Sequence, residues 1–153
     1  MPKPTFRFNR DWTQILLLTK DFVEIRDART GAMQRTIAGH FATAKFLRDG
    51  RIAAVDGALR IFSADGGPLR DIPLPNMRVE SINDSGNGLL VLVRPRSRCA
   101  IVDISRGAVL RIEEGLRPTS PGNTGPQLLC YSHEGLVAWN PATRERRIIS
   151  KGW

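Results

Sequence analysis

Phe22-Val23-Glu24-Ile25-Arg26-Asp27-Ala28-Arg29-Thr30-Gly31 is a short β-type run, then an acid, then a turn that ends on glycine. The plan returns as Ala58-Leu59-Arg60-Ile61-Phe62-Ser63-Ala64-Asp65-Gly66-Gly67 and Arg98-Cys99-Ala100-Ile101-Val102-Asp103-Ile104-Ser105-Arg106-Gly107. It returns once more as Gly135-Leu136-Val137-Ala138-Trp139-Asn140-Pro141-Ala142-Thr143-Arg144. The polar residues Asp27, Ser63, Asp103 and Asn140 are spaced by 36, 40 and 37 positions. Four residues beyond each stand Gly31, Gly67, Gly107 and, breaking the pattern, Arg144. Glycine there is expected to supply the positive φ of a tight hairpin. A repeat of this length marks a stack of similar supersecondary units.

Working outward, each segment is preceded by a nearly continuous apolar run: Gln14–Thr19, Arg51–Val55, Gly88–Val93 and Gln127–Tyr131. Such runs read as strands buried on both faces. Each is followed by an alternating run that carries arginine: Arg35, Arg70, Arg111 and Arg147. Charge on a strand of this kind keeps an outer edge from pairing with strangers. A fourth run opens each unit: Thr5–Phe8, Thr43–Leu47, Arg78–Ile82 and Leu116–Ser120. Turn residues follow it, as in Asp49-Gly50 and Asp84-Ser85-Gly86-Asn87. The unit is thus four antiparallel strands in about 38 residues, and no stretch reads as helix.

Four strands at this period are the sequence signature of a β-propeller blade. The second unit, with Gly39-His40, Phe46–Gly50, Arg51–Val55 and Leu59–Ser63, resembles a divergent WD40-like blade. Arg26-Asp27, Phe62-Ser63, Val102-Asp103 and Trp139-Asn140 occupy the position of that family's Trp-Asp pair, and none retains the pair itself. The expected fold is all-β, a propeller of four four-stranded antiparallel blades. It spans 1–153 as a single repeat domain, with blades at about 4–39, 40–75, 76–115 and 116–153. A β-sandwich with accidental spacing is the alternative; the recurrent order of buried strand, polar residue, turn and arginine-bearing strand argues against it.

Composition narrows the class. The 153 residues are 41% hydrophobic and 25% charged, which suits a folded globular chain and excludes a disordered tail or a collagen-like rod. No apolar run approaches the roughly 20 residues of a membrane helix. Met1–Phe6 lacks the plan of a signal peptide, so a cytoplasmic location is expected. Cys99 and Cys130 each lie inside an apolar run and read as buried free thiols. The formal charge of +8 permits nucleic-acid contact, but the 19 arginines are dispersed along the chain, so nucleic acid is not the expected partner.

No Walker loop, HExxH, CxxC or nucleophile elbow occurs, and no cofactor is expected. The resemblance implies a non-catalytic scaffold for protein–protein interaction. Four blades are few for this type of propeller, which commonly has more. Two chains closing one ring, completion by another propeller segment, and a small closed ring all remain open. The expected partner-binding face comprises Lys20, Arg94, Arg96, Arg98 and His133, from turns that open on one side of a propeller. Phe6, Phe8 and Trp153 are the candidate end-blade interface, and Trp139 reads as core. The rival reading is a propeller hydrolase or lactonase with a central cation site. Asp21, Asp56 and Glu134 stand in the relevant turns, with Arg96 in the third unit's.

Overall fold

In a computed structural model, residues 5–119 and 127–152 are described. Trp153 and most of the Pro118–Pro126 loop lie outside them. Sixteen strands form four antiparallel sheets, each a simple up-and-down meander. The first sheet is β1 (Thr5–Phe8), β2 (Gln14–Leu18), β3 (Phe22–Asp27) and β4 (Met33–Ala38). The second is β5 (Thr43–Phe46), β6 (Ile52–Val55), β7 (Ala58–Phe62) and β8 (Pro68–Pro73). The third is β9 (Ser81–Asp84), β10 (Leu89–Arg94), β11 (Arg98–Asp103) and β12 (Ala108–Glu114). The fourth is β13 (Arg117–Pro118), β14 (Leu128–Ser132), β15 (Gly135–Trp139) and β16 (Arg146–Lys151). These sheets are the four repeats, and the chain folds as four propeller-type blades.

The chain divides into two compact units, Met1–Met77 and Arg78–Trp153, each holding two blades. In the first unit, Leu16, Val23 and Ile25 of one sheet pack on Phe41, Ala44, Phe46, Ile52, Ala54 and Phe62 of the other. In the second, Leu89, Val91, Cys99 and Ile101 meet Leu116, Leu128, Cys130, Val137 and Trp139. Each fully buried large side chain contributes roughly 1.5–3 kcal/mol, so sheet-on-sheet packing holds each pair of blades together.

The repeated polar residue has a local task. The Asp27 carboxylate accepts the N–H groups of Arg29 and Thr30, both at 2.9 Å, and Asn140 accepts those of Ala142 and Thr143. Asp103 accepts from Arg106 and from the Ser105 hydroxyl. These Asx-type caps fold the turn into the outer strand. The expectation for Gly67 is corrected: the positive φ, +89°, belongs to Gly66. The second turn is one residue shorter than the others. Ser63 replaces the longer Asx side chain, its N–H donates to Gly67 O, and Gly66 N–H donates back to Ser63 O. Arg144 does adopt the glycine conformation, φ +69°, in place of Gly31 and Gly107.

The third strand of every blade meets its outer strand with a register shift, at Ile25/Arg26, Ile61/Phe62, Ile101/Val102 and Leu136/Val137. A bulge there twists the edge away from straight pairing.

Both cysteines are free and fully buried. Burial pushes the Cys99 thiol up to about 12, with Glu113 adding to the effect; burial likewise pushes Cys130 up to about 12, with Cys99 adding to it. An aromatic disulfide reagent at pH 8 is therefore expected to label almost no thiol in the native chain and both in denaturant, because the thiolate is the reactive form. Rapid native labelling of either cysteine would mean that the second unit opens readily.

Candidate functional site

Two kinds of surface emerge: the turns expected to bind a partner, and the sheet faces left exposed in the first and last blades. Lys20 sits in the β2–β3 turn, which is closed by Thr19 N–H donating to Phe22 O. His40, from the loop after β4, lies on this turn, with Nδ1 3.1 Å from Lys20 O and 3.5 Å from an Asp21 carboxylate oxygen. It therefore packs locally. In the second unit, Arg94 and Arg98 face each other across the β10–β11 hairpin. Arg96 and Ser97 at its tip both take positive φ, 63° and 55°. Left-handed backbone at two consecutive residues matches the right-handed twist of the flanking strands. His133 is exposed in the equivalent β14–β15 turn of the next blade.

Lys20, Arg94, Arg96 and Arg98 make no ion pair among the described residues, unlike Arg26, Arg51, Arg60, Arg111, Arg144 and Arg146. Nor does a hydrogen bond or ion pair join His133 to the hairpin arginines. Each of these turns thus presents its charge singly. Asp56, one of the three turn acids, is held by Arg60 at 2.8 Å. Among the described residues no three His, Cys, Asp or Glu side chains gather as a metal-binding group.

The sheet faces are better defined. Cross-strand partners share a face, and the registers place Phe6 with Leu17, and Phe8 with Ile15, Arg26 and Met33. This is the face of the first blade that does not pack on the second. Phe6 and Phe8 meet edge to face, and Phe8 stacks at 4.5 Å on Trp12. Phe8 is 38% exposed, whereas Phe46, its counterpart on the second blade, is 6% exposed against the first. Arg26 stands where Phe62 and Trp139 are buried, and is tied to Glu24 at 2.8 Å.

On the fourth blade the exposed face carries Leu129 with Ala138 and Arg147, and Tyr131 with Leu136. Tyr131 is 50% exposed; its counterpart Val93, on the third blade, is 4% exposed. Phe6 and Phe8 are thus on an open face; Trp153 lies outside the described residues. Leu129 and Tyr131 are not singled out by the sequence, and Arg147 is marked there only as the arginine of an outer strand. The signal available for them was their register against buried residues of the earlier repeats.

No family model matches the chain, and no curated protein matches it. Among solved structures it is similar to BamB from Moraxella catarrhalis, with a TM-score of 0.68 and 13% identity over 95% of this chain and 48% of that one. It is also similar to the Cps50 (Swd1) β-propeller domain of Myceliophteria thermophila, with a TM-score of 0.72 and 17% identity over 96% and 55%. The chain spans about half the length of the chains it matches. At these identities the likeness is one of fold, and the fold is that of the β-propeller.

Proposed function

We propose that the chain is a non-catalytic propeller segment that works by protein–protein association, completing a larger set of blades with a second copy or with another propeller segment. One observation carries this reading. Phe6 and Phe8 on the first blade, and Leu129 and Tyr131 on the fourth, are exposed at positions whose counterparts are buried between paired blades. Contiguous apolar surface of this kind marks interaction sites. The similar structures, about twice as long, support the idea of blades contributed from elsewhere. The Arg94, Arg96 and Arg98 side chains of the second unit's β10–β11 hairpin would then offer a surface suited to acidic groups.

Light scattering on a sizing column tests it. The expected result is a mass near twice 17.0 kDa or above, with Phe8→Glu shifting the mass downward. A chain that stays monomeric at high micromolar concentration and captures no propeller segment would overturn the reading.

A further inference from the structure

The two blade-to-blade joints share a detail. In the first unit, Gln14 Nε2, held by Gln34 at 3.0 Å, donates to the carbonyl of Ala64 at 3.4 Å. Arg35 from the same blade lies over Gly66, its Cγ 2.8 Å from where a Cβ would stand, so a side chain there would have to displace the Arg35 stem. In the second unit, Arg111 Nη2 donates to the carbonyl of Pro141. Ala64 and Pro141 occupy the same place in the repeat, directly after the polar residue that caps the turn (Ser63 or Asn140). Arg35 and Arg111 also correspond, each paired with the isoleucine two residues before its own blade's turn, Ile25 or Ile101. One blade therefore grips the next by the third-to-outer-strand turn, with a Gln or Arg donor on its first carbonyl.

The fourth blade carries this grip with nothing in it. Arg147 pairs with Ala138, the position matching Ile25 and Ile101. Gln127, one residue before the Leu128–Trp139 pair, corresponds to Gln14 opposite Asp27. Together they line a shallow hollow of about 460 Å³ with Ala138, Glu145 and Arg146. Neither the Gln127 nor the Arg147 side chain has a hydrogen bond or ion pair among the described residues. The first blade carries the complementary piece. Its capped turn, Asp27 to Gly31, puts Ala28 where Ala64 and Pro141 stand, and no described side chain donates to the Ala28 carbonyl. Nothing lies within 4 Å of a Cβ at Gly31, whereas Gly66 is covered by Arg35.

We propose that the Gln127–Arg147 hollow receives the Asp27–Gly31 turn of a second copy of this chain. Gln127 and Arg147 donate to the Ala28 carbonyl, and the Arg147 stem covers Gly31. The turn also brings the Asp27 carboxylate toward Arg147, which favours this occupant on charge. The surfaces are unlike, so reciprocal exchange closes a dimer and one-way use builds longer chains. This proposal rests on the association reading above and names its occupant and its contact.

Sedimentation across a concentration series tests it with Arg147→Glu and Gly31→Asn; asparagine tolerates the positive φ of that site. Each variant is expected to keep the native circular dichroism and to raise the self-dissociation constant about tenfold or more. Mixing the two variants is expected to restore association, because the pair reconstitutes one intact joint. Arg78→Glu, with the same change in net charge at an exposed position outside both candidate surfaces, is expected to leave association as in wild type. If wild type associates and both variants associate equally well, the joint is overturned while the association reading stands. A monomeric wild type overturns the self-association, and the binding of a different chain's blade in the hollow overturns the occupant.

Discussion

Trp139→Ala is expected to lower the stability of the second unit by roughly 3–5 kcal/mol. Trp139 is 0% exposed and lies in the core formed with Leu89, Val91, Cys99, Ile101 and Leu128. Removing its side chain costs the transfer energy of a large aromatic and leaves a cavity that flanking strands cannot close without breaking their registers with β14 and β16. A loss of that size is a large part of the roughly 5–15 kcal/mol that holds a typical domain folded. Trp139→Phe should be much milder, about 2 kcal/mol or less. The indole N–H has no acceptor among the described residues. Phenylalanine removes that unpaired donor, a relief of roughly 1–3 kcal/mol, against a smaller loss of area. Urea unfolding followed by circular dichroism would rank the variants. Trp139→Phe as damaging as Trp139→Ala would show that the indole N–H is satisfied, and the ranking would fail.

Glu113→Gln is expected to be nearly as costly, about 2–4 kcal/mol at neutral pH. The Glu113 side chain is 7% exposed and receives Arg111 Nε at 2.9 Å, Arg144 Nε at 2.9 Å and Arg146 Nη2 at 3.2 Å. Arg111 belongs to the same outer strand, whereas Arg144 and Arg146 come from the fourth blade, so one carboxylate ties two sheets together. A neutral amide would leave three guanidinium groups facing one another. Water around the more exposed Arg144 and Arg146 screens part of that repulsion, which keeps the cost below that of a sealed site.

The sign with pH follows from the environment. Burial alone would push the Glu113 carboxyl up, but the hydrogen bond from Arg111 and the charges of Arg144 and Arg111 outweigh it and hold it below the ordinary value of 4.5. A group lowered in the folded state stabilises fully above its unfolded value and loses that contribution as pH falls through the folded one. The gap between wild type and Glu113→Gln should therefore be widest at neutral pH and narrow below pH 4.5. A gap that stays constant down to pH 3 would count against an ionised, triply paired Glu113.

The strands were legible because each is a local pattern. An apolar run such as Leu89–Val93 has little choice but to be a central strand, and Asp27, Asp103 and Asn140 announce their turns by their own side-chain chemistry. Boundaries slipped where that chemistry was ambiguous. Val79 is buried but lies before β9, which begins at Ser81 rather than Arg78. The opening strand of the fourth blade is Arg117–Pro118, followed by Thr119 N–H donating to Leu129 O. The displaced glycine, Gly66 for Gly67, could be found only by knowing that Ser63 builds a shorter turn than aspartate.

The candidate surfaces were less legible. Exposed Phe6 and Phe8 can be anticipated from an unmatched first blade, and a charged hairpin from Arg94 to Arg98 is plain to see. The arginine grip was not. Arg111 and Pro141 are 30 positions apart and Gln14 and Ala64 are 50 apart; neither pair follows the repeat until the registers align the blades. Glu113 likewise reads as one more acid on an outer strand until Arg144 and Arg146 are brought to it from the next sheet.

Among the described residues every strand pairs only with its neighbour in sequence. No ladder waits for a distant segment, so the loops closed while each sheet forms are short and cost little entropy. A blade can acquire its hydrogen bonds as soon as its own stretch has left the ribosome, needing the next blade only to cover its apolar face. The same independence lets a gene gain or lose a blade without rewriting the pairing of the rest, and so lets propellers of different size grow from one repeated unit.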